Sequence, residues 1–97
     1  MPSKQTPPKL PQDLLSTLAR LTNVEEISRL LSDLLTPGEI EAVTERWDIL
    51  RLLTAGKSQR DISAELGVSI TTVSRGSRQL KYGPGGFQHA FDGPHRT

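Results

Sequence analysis

Apolar positions in this chain fall in stripes at helical spacing. Leu14, Leu15, Leu18 and Leu21 form the first, and Pro11 suits the first turn of that helix. A second stripe runs through Ile27, Leu30, Leu31, Leu34 and Leu35. Asn23 is placed to cap it, and Glu25 and Glu26 favour the helix dipole in its first turn. Thr36-Pro37-Gly38-Glu39 then marks a boundary: Thr36 can cap, Pro37 fits the first helical position and Glu39 can close a capping box. The long helix that follows is predicted to line one face with Ile40, Val43, Trp47, Leu50 and Leu53 or Thr54. Ile49 and Leu52 widen that face, and Gly56 stops the helix. Trp47 lies on the apolar stripe and is read as core or dimer packing. Ser58 and Asp61 start a short helix that runs to Leu66 and breaks at Gly67. Ser69 caps another, from Ile70 to about Lys81. Tyr82-Gly83-Pro84-Gly85-Gly86 ends that one, and Phe87 to Phe91 make a last helical turn with Phe87, Ala90 and Phe91 on one side. No segment alternates as a strand does, and no repeat is present. The pattern predicts an all-α protein of five or six helices.

The stretch SQRDISAELGVSITTVSRGS, residues 58–77, has the helix-turn-helix pattern. Two helices that cross steeply through a short turn need a small residue where they face each other, here Ser63, and a glycine free to take positive φ in the turn, here Gly67. Ile62, Leu66, Val68 and Val73 are the apolar pins. Ser69, Ile70, Thr71, Thr72 and Ser74 face outward on the second helix. Short polar side chains there can approach base edges in a major groove, and an apolar one can touch a thymine methyl. Arg60, with Gln59 beside it near the start of the first helix, can reach a guanine edge or a phosphate. Lys57, Ser58, Arg78 and Lys81 read as backbone clamps. At Gly76 this motif usually buries a large aliphatic side chain, so another group must fill that space, or a ligand must. The predicted organisation is a flexible basic arm over residues 1–10, a helical domain over 11–91 with its helix-turn-helix at about 58–81, and a disordered tail over 92–97.

Composition sharpens this picture. Ninety-seven residues make one domain, and with 34% apolar and 4% aromatic residues its core is lean. Because the leucines and isoleucines are concentrated in stripes, the core is expected to be completed across a homodimer interface. Charge is segregated. From Val24 to Asp48, Glu25, Glu26, Asp33, Glu39, Glu41, Glu45 and Asp48 face only Arg29 and Arg46; from Lys57 to Tyr82, Lys57, Arg60, Arg75, Arg78 and Lys81 face only Asp61 and Glu65. A polyanion is repelled by the first segment and attracted by the second. The absence of cysteine removes disulfides and thiol chemistry and fits a reducing cytosol. No apolar run is long enough to span a bilayer, and the first eleven residues lack the apolar region of a secretory signal, so a cytoplasmic protein is expected. An enzyme is not expected. His89 and His95 have no metal-ligating partners at useful spacing, so no metal site is expected either, and no nucleophile is paired with a base.

The sequence resembles the Trp repressor family over roughly residues 34–80. The resemblance is carried by LTPGE at 35–39, the helix with Arg46, SQRDI at 58–62, ELG at 65–67, and SRGS at 74–77 followed by Leu80 and Lys81. The segment LKYGPGGFQHAF at 80–91 is similar to the shorter Trp-repressor-like relatives, so both branches stay open. The resemblance implies an intertwined all-α homodimer that presents two reading heads to a double-stranded DNA operator, with half-sites about one helical turn apart. It also implies a site for L-tryptophan as corepressor. There the indole lies between Arg46 and Arg75, Arg75 pairs with the carboxylate, Gly76 leaves room, and Thr36 stands on the amino-group side. Guanidinium planes suit such stacking and pairing. The family's ligand-contacting serine corresponds to Gln79 in this chain. Two other readings remain: a ligand-independent DNA-binding dimer of the same fold, and a helical protein-interaction module.

Overall fold

The structure, a computed structural model, describes residues 8–92 of the chain. It divides into two compact units, the first ending at Gly38 and the second beginning at Glu39. Of the predicted basic arm, residues 1–7 lie outside the described residues, as do 93–97 of the predicted tail.

In the first unit, α1 spans Gln12–Arg20 and α2 spans Val24–Leu34. Pro11 stands at the N-cap of α1, one position before the first turn, with φ −61° and ψ 142°; its carbonyl accepts from the Leu15 N–H at 3.1 Å. Asn23 caps α2 as its residue type dictates: its Oδ1 accepts from the backbone N–H of Glu25 at 2.8 Å and of Glu26 at 3.2 Å. Both helices are amphipathic, yet neither contains a buried residue.

The second unit carries the rest of α3 (Pro37–Thr54), then α4 (Gln59–Leu66), α5 (Ile70–Tyr82) and α6 (Gly86–Asp92). No strand occurs among the described residues. Pro37 opens α3, where its missing N–H costs nothing. Gly56, at φ +94°, closes it: the Lys57 N–H reaches back to the Leu52 carbonyl and the Gly56 N–H to the Leu53 carbonyl. Asp92 is still helical, one residue beyond the predicted boundary, because the chain-breaking Gly93-Pro94 pair comes only after it.

Among the described residues the core is four side chains: Ile49 and Leu52 from α3, Ile62 from α4 and Val73 from α5, with Leu53, Leu66 and Val68 packed at its margin. The apolar residues of α3 fall on more than one face. Ile40, Val43 and Trp47 stay exposed, and the face that closes against the core is the one expected only to widen the stripe. The cause is geometric: α4 and α5 supply core residues opposite the C-terminal half of α3, at Ile49 and Leu52. Trp47 instead meets α6, edge-on to Phe87 with ring centroids 5.1 Å apart and to Phe91 at 6.2 Å. Phe87 and Phe91 stack on each other at 5.2 Å.

With so few buried side chains, each carries a large share of the stability. Ile62→Ala is expected to cost about 2–5 kcal/mol, and Gly67→Ala about 1–2 kcal/mol through its left-handed backbone. Urea unfolding followed by circular dichroism measures both, with the larger loss at Ile62.

Candidate nucleic-acid interface and effector cleft

The α4–α5 unit is held in shape by short-range hydrogen bonds that its residue types make available. Ser58 Oγ accepts from the Asp61 N–H at 3.0 Å and starts α4. Gly67, at φ 70° and ψ 31°, ends it. The N–H groups of Gly67 and Val68 both donate to the Ser63 carbonyl, at 2.9 and 3.2 Å. The Ser63 hydroxyl donates across the turn to the Val68 carbonyl. The small residue expected between the helices thus also ties down their turn. Ser69 Oγ accepts from the Thr72 N–H at 3.1 Å and lies 2.9 Å from Thr72 Oγ1. The turn is Gly67-Val68-Ser69, and the fully buried Ile62 and Val73 fix how each helix is rotated.

That rotation decides what faces outward. Ile70 and Thr71 are exposed at the start of α5, while Ser74 and Thr72 are half-buried, with the Thr72 hydroxyl engaged in the cap. Lys57, Ser58, Arg60, Ser69, Arg78 and Lys81 are exposed, and Gln59 is half-buried. Lys57 forms an ion pair with Glu65 at 3.3 Å, an exposed contact worth little and readily exchanged. No acid occurs anywhere in α5, which carries Arg75, Arg78 and Lys81. The Arg78 guanidinium lies over the Tyr82 ring, 5.8 Å from its centroid. The sequence reading missed this pair, although the i, i+4 spacing of a cation and an aromatic residue on one helix signals it.

A second feature lies between α3 and α5, both within the second unit. A cleft of about 600 Å³ is lined by Ala42, Glu45, Arg46, Ile49 and Leu50 from α3 and by Thr72, Arg75, Gly76 and Gln79 from α5. Arg46, Arg75, Gly76 and Gln79 of the expected effector set therefore share one cleft, whereas Thr36 belongs to the first unit. Glu45 was missed as a lining residue. It is one of seven acids in the acidic stretch, and only the buried face of α3 shows that it borders this cleft. Among the described residues the ion pairs are Arg51 with Asp48 and Lys57 with Glu65, so neither Arg46 nor Arg75 is paired with a carboxylate. The missing aliphatic at Gly76 is explained from the other helix. A Cβ there would stand 2.7 Å from Ile49 Cγ2, so Ile49 of α3 occupies the volume that the motif usually fills from α5. The Gln79 amide folds back beside Gly83, where a side chain would collide with it.

A basic, acid-free helix presented by a tightly capped turn on an all-α scaffold is the architecture of helical DNA-binding regulators. Residues 10–93 match the family model of the Trp repressor protein, and the chain belongs to the Trp repressor family. It is a DNA-binding transcriptional regulator and not an enzyme. The uncharacterized protein YerC of Bacillus subtilis (strain 168) is 34% identical over 79 residues, covering 81% of this chain and 76% of its own. The Trp operon repressor homolog of Vibrio cholerae is 42% identical over 71 residues, 72% of this chain and 69% of its own. That of Vibrio parahaemolyticus is 41% identical over 71 residues, with 72% and 69% covered. No solved structure matches the chain. Among the described residues, no helix is long and apolar enough to cross a membrane.

The α3–α5 contact sets a test. Gly76→Ala drives a methyl group into the stiff, β-branched and 2% exposed Ile49, so a loss of about 1–3 kcal/mol is expected by thermal unfolding. The double variant Gly76→Ala with Ile49→Val does not restore the loss, because Val keeps the colliding Cγ2 branch.

Proposed function

We propose that this chain is a homodimeric, sequence-specific repressor that lays α5 in the major groove of a DNA operator. The carrying observation is the outer face of the α4–α5 unit. Ile70 and Thr71 are exposed at the leading end of a helix without acids, with half-buried Ser74 following them, and Arg60, Arg78 and Lys81 are exposed on the same two helices. In this reading Ser69, Ile70, Thr71, Thr72 and Ser74 face the bases, and Lys57, Ser58, Gln59, Arg60, Arg78 and Lys81 hold the phosphates or an adjacent guanine. The second copy is called for by α1 and α2. Their apolar stripes leave Leu15, Leu31 and Leu34 exposed, and a short chain with four buried apolar side chains gains most from association. The regulator acts in the cytoplasm, where such a duplex is found.

The α3–α5 cleft supports a second element: control by a small carboxylate, for which L-tryptophan is the first candidate. Two unpaired guanidinium groups, Arg46 and Arg75, face one cleft beside Gly76, and Trp operon repressor homologs are among the relatives. Thr36 is carried over as the amino-group partner and Gln79 as the replacement for a ligand-contacting serine. A ligand that binds one arrangement of the heads better shifts the population toward it.

A titration of duplexes enriched from a random library, with and without L-tryptophan and at two salt concentrations, tests both elements. Two heads with about four cations each predict an affinity loss on the order of ten-thousandfold between 50 and 200 mM salt. Arg60→Glu is expected to weaken binding at least tenfold. Failure to enrich any duplex sinks the reading, and affinity unmoved by millimolar tryptophan removes the effector alone. Sedimentation equilibrium is expected to return twice the chain mass of 10.7 kDa.

A further inference from the structure

At the C-terminal end of α5, Arg75, Arg78, Gln79, Tyr82 and Gly83 line a shallow cleft of about 380 Å³. We propose that this cleft grips one backbone phosphate of the duplex, with Tyr82 fixing the Arg78 guanidinium and adding its hydroxyl as a donor. The inference rests on α5 lying in the major groove.

Tyr82 is 77% exposed, unusual for an aromatic side chain, and its ring carries the Arg78 guanidinium at 5.8 Å. A cation held on an aromatic face loses less freedom on binding than a free arginine does. The lining holds two guanidinium groups, an amide and a phenol, and no carboxylate. That donor set suits a phosphate, whose oxygens accept from the planar guanidinium fork and from O–H. The partial negative charge at a helix C-terminus, about half a unit, is outweighed by two full cations, with Lys81 adjacent as a third.

Length places the cleft against the backbone. Thirteen residues at about 1.5 Å each make α5 about 20 Å long, while the groove is about 12 Å wide. With its N-terminal turn at the base edges, the last turn must emerge beside a phosphate strand. Contact there is independent of base sequence, so the cleft sets register and affinity and leaves specificity to Ile70, Thr71 and Ser74.

Arg75 and Gln79 also border the α3–α5 cleft, so the test uses Arg78 and Tyr82, which do not. Arg78→Gln, Tyr82→Ala and Tyr82→Phe are compared with the unaltered dimer on an enriched duplex and on a random-sequence duplex of equal length, over a salt series. Arg78→Gln, which removes one cation from each of the two heads, is expected to weaken both duplexes about five- to tenfold and to lower the salt slope by about two. Tyr82→Ala is expected to weaken both about threefold or more, and Tyr82→Phe less, since the ring that holds Arg78 survives. Both side chains are exposed, so circular dichroism is expected to show unchanged helix content. Unaltered affinity and slope in Arg78→Gln and Tyr82→Ala overturn the proposal while leaving α5 as the reading helix. A loss confined to the enriched duplex also overturns it, since that would make the pair a base reader. If the unaltered protein binds neither duplex, the underlying reading fails and the proposal with it.

Discussion

The close approach of Gly76 to Ile49 governs the functional half of the molecule. Ile49 is 2% exposed and branches at Cβ, so it presents a rigid wall, and only a residue without a side chain lets α5 rest on that wall. Once α5 is seated there, Val73 is driven into the core beside Ile62 and Leu52, and the helix cannot rotate without exposing it. The face opposite Val73 is then outward by necessity. One missing methyl group therefore fixes both the side of α5 that faces outward and how closely α5 packs on α3.

That seat rests on a very small core. Among the described residues the buried apolar side chains are Ile49, Leu52, Ile62 and Val73. The caps and turns of the α4–α5 unit keep it locally stiff: Ser58, Ser63, Gly67 and Ser69 satisfy its terminal backbone groups with little reliance on the rest of the chain. The first unit has its own cap at Asn23 but no buried side chain, and its leucine stripes leave Leu15, Leu31 and Leu34 exposed.

Local chemistry made most of the fold legible from sequence. Asn23, Pro37, Ser58, Gly67 and Ser69 each have a residue-specific reason to begin or end a helix, and the element order follows from them. What the pattern could not give was which face of α3 turns inward. Its apolar residues encircle much of the helix, and Ile40, Val43 and Trp47 fit a stripe as well as Ile49 and Leu52 do. Choosing between them requires knowing where α4 and α5 lie, which is tertiary information. Glu45 was illegible for the same reason, since its place at the edge of a cleft depends on α5. The Arg78–Tyr82 pair is different: it is local, and its i, i+4 spacing is in the sequence.

Arg75 and Gln79 form a wall common to two clefts, one facing α3 and one facing the end of α5. This has a thermodynamic consequence for the proposed function. A carboxylate held by Arg75 in the first cleft would shift that guanidinium and offset its positive field in the second, so the proposed effector and phosphate would be coupled through a single side chain. Linkage makes the coupling reciprocal: whatever factor the effector changes DNA affinity by, DNA changes effector affinity by the same factor. A mechanism that acted only by moving whole heads would leave the coupling intact when Arg75 is shortened, provided the ligand still bound through Arg46. Coupling through the shared wall would vanish with it, while residual binding of each partner remained. Arg75→Lys separates these cases, because lysine keeps the charge and loses the fork that could serve both clefts at once.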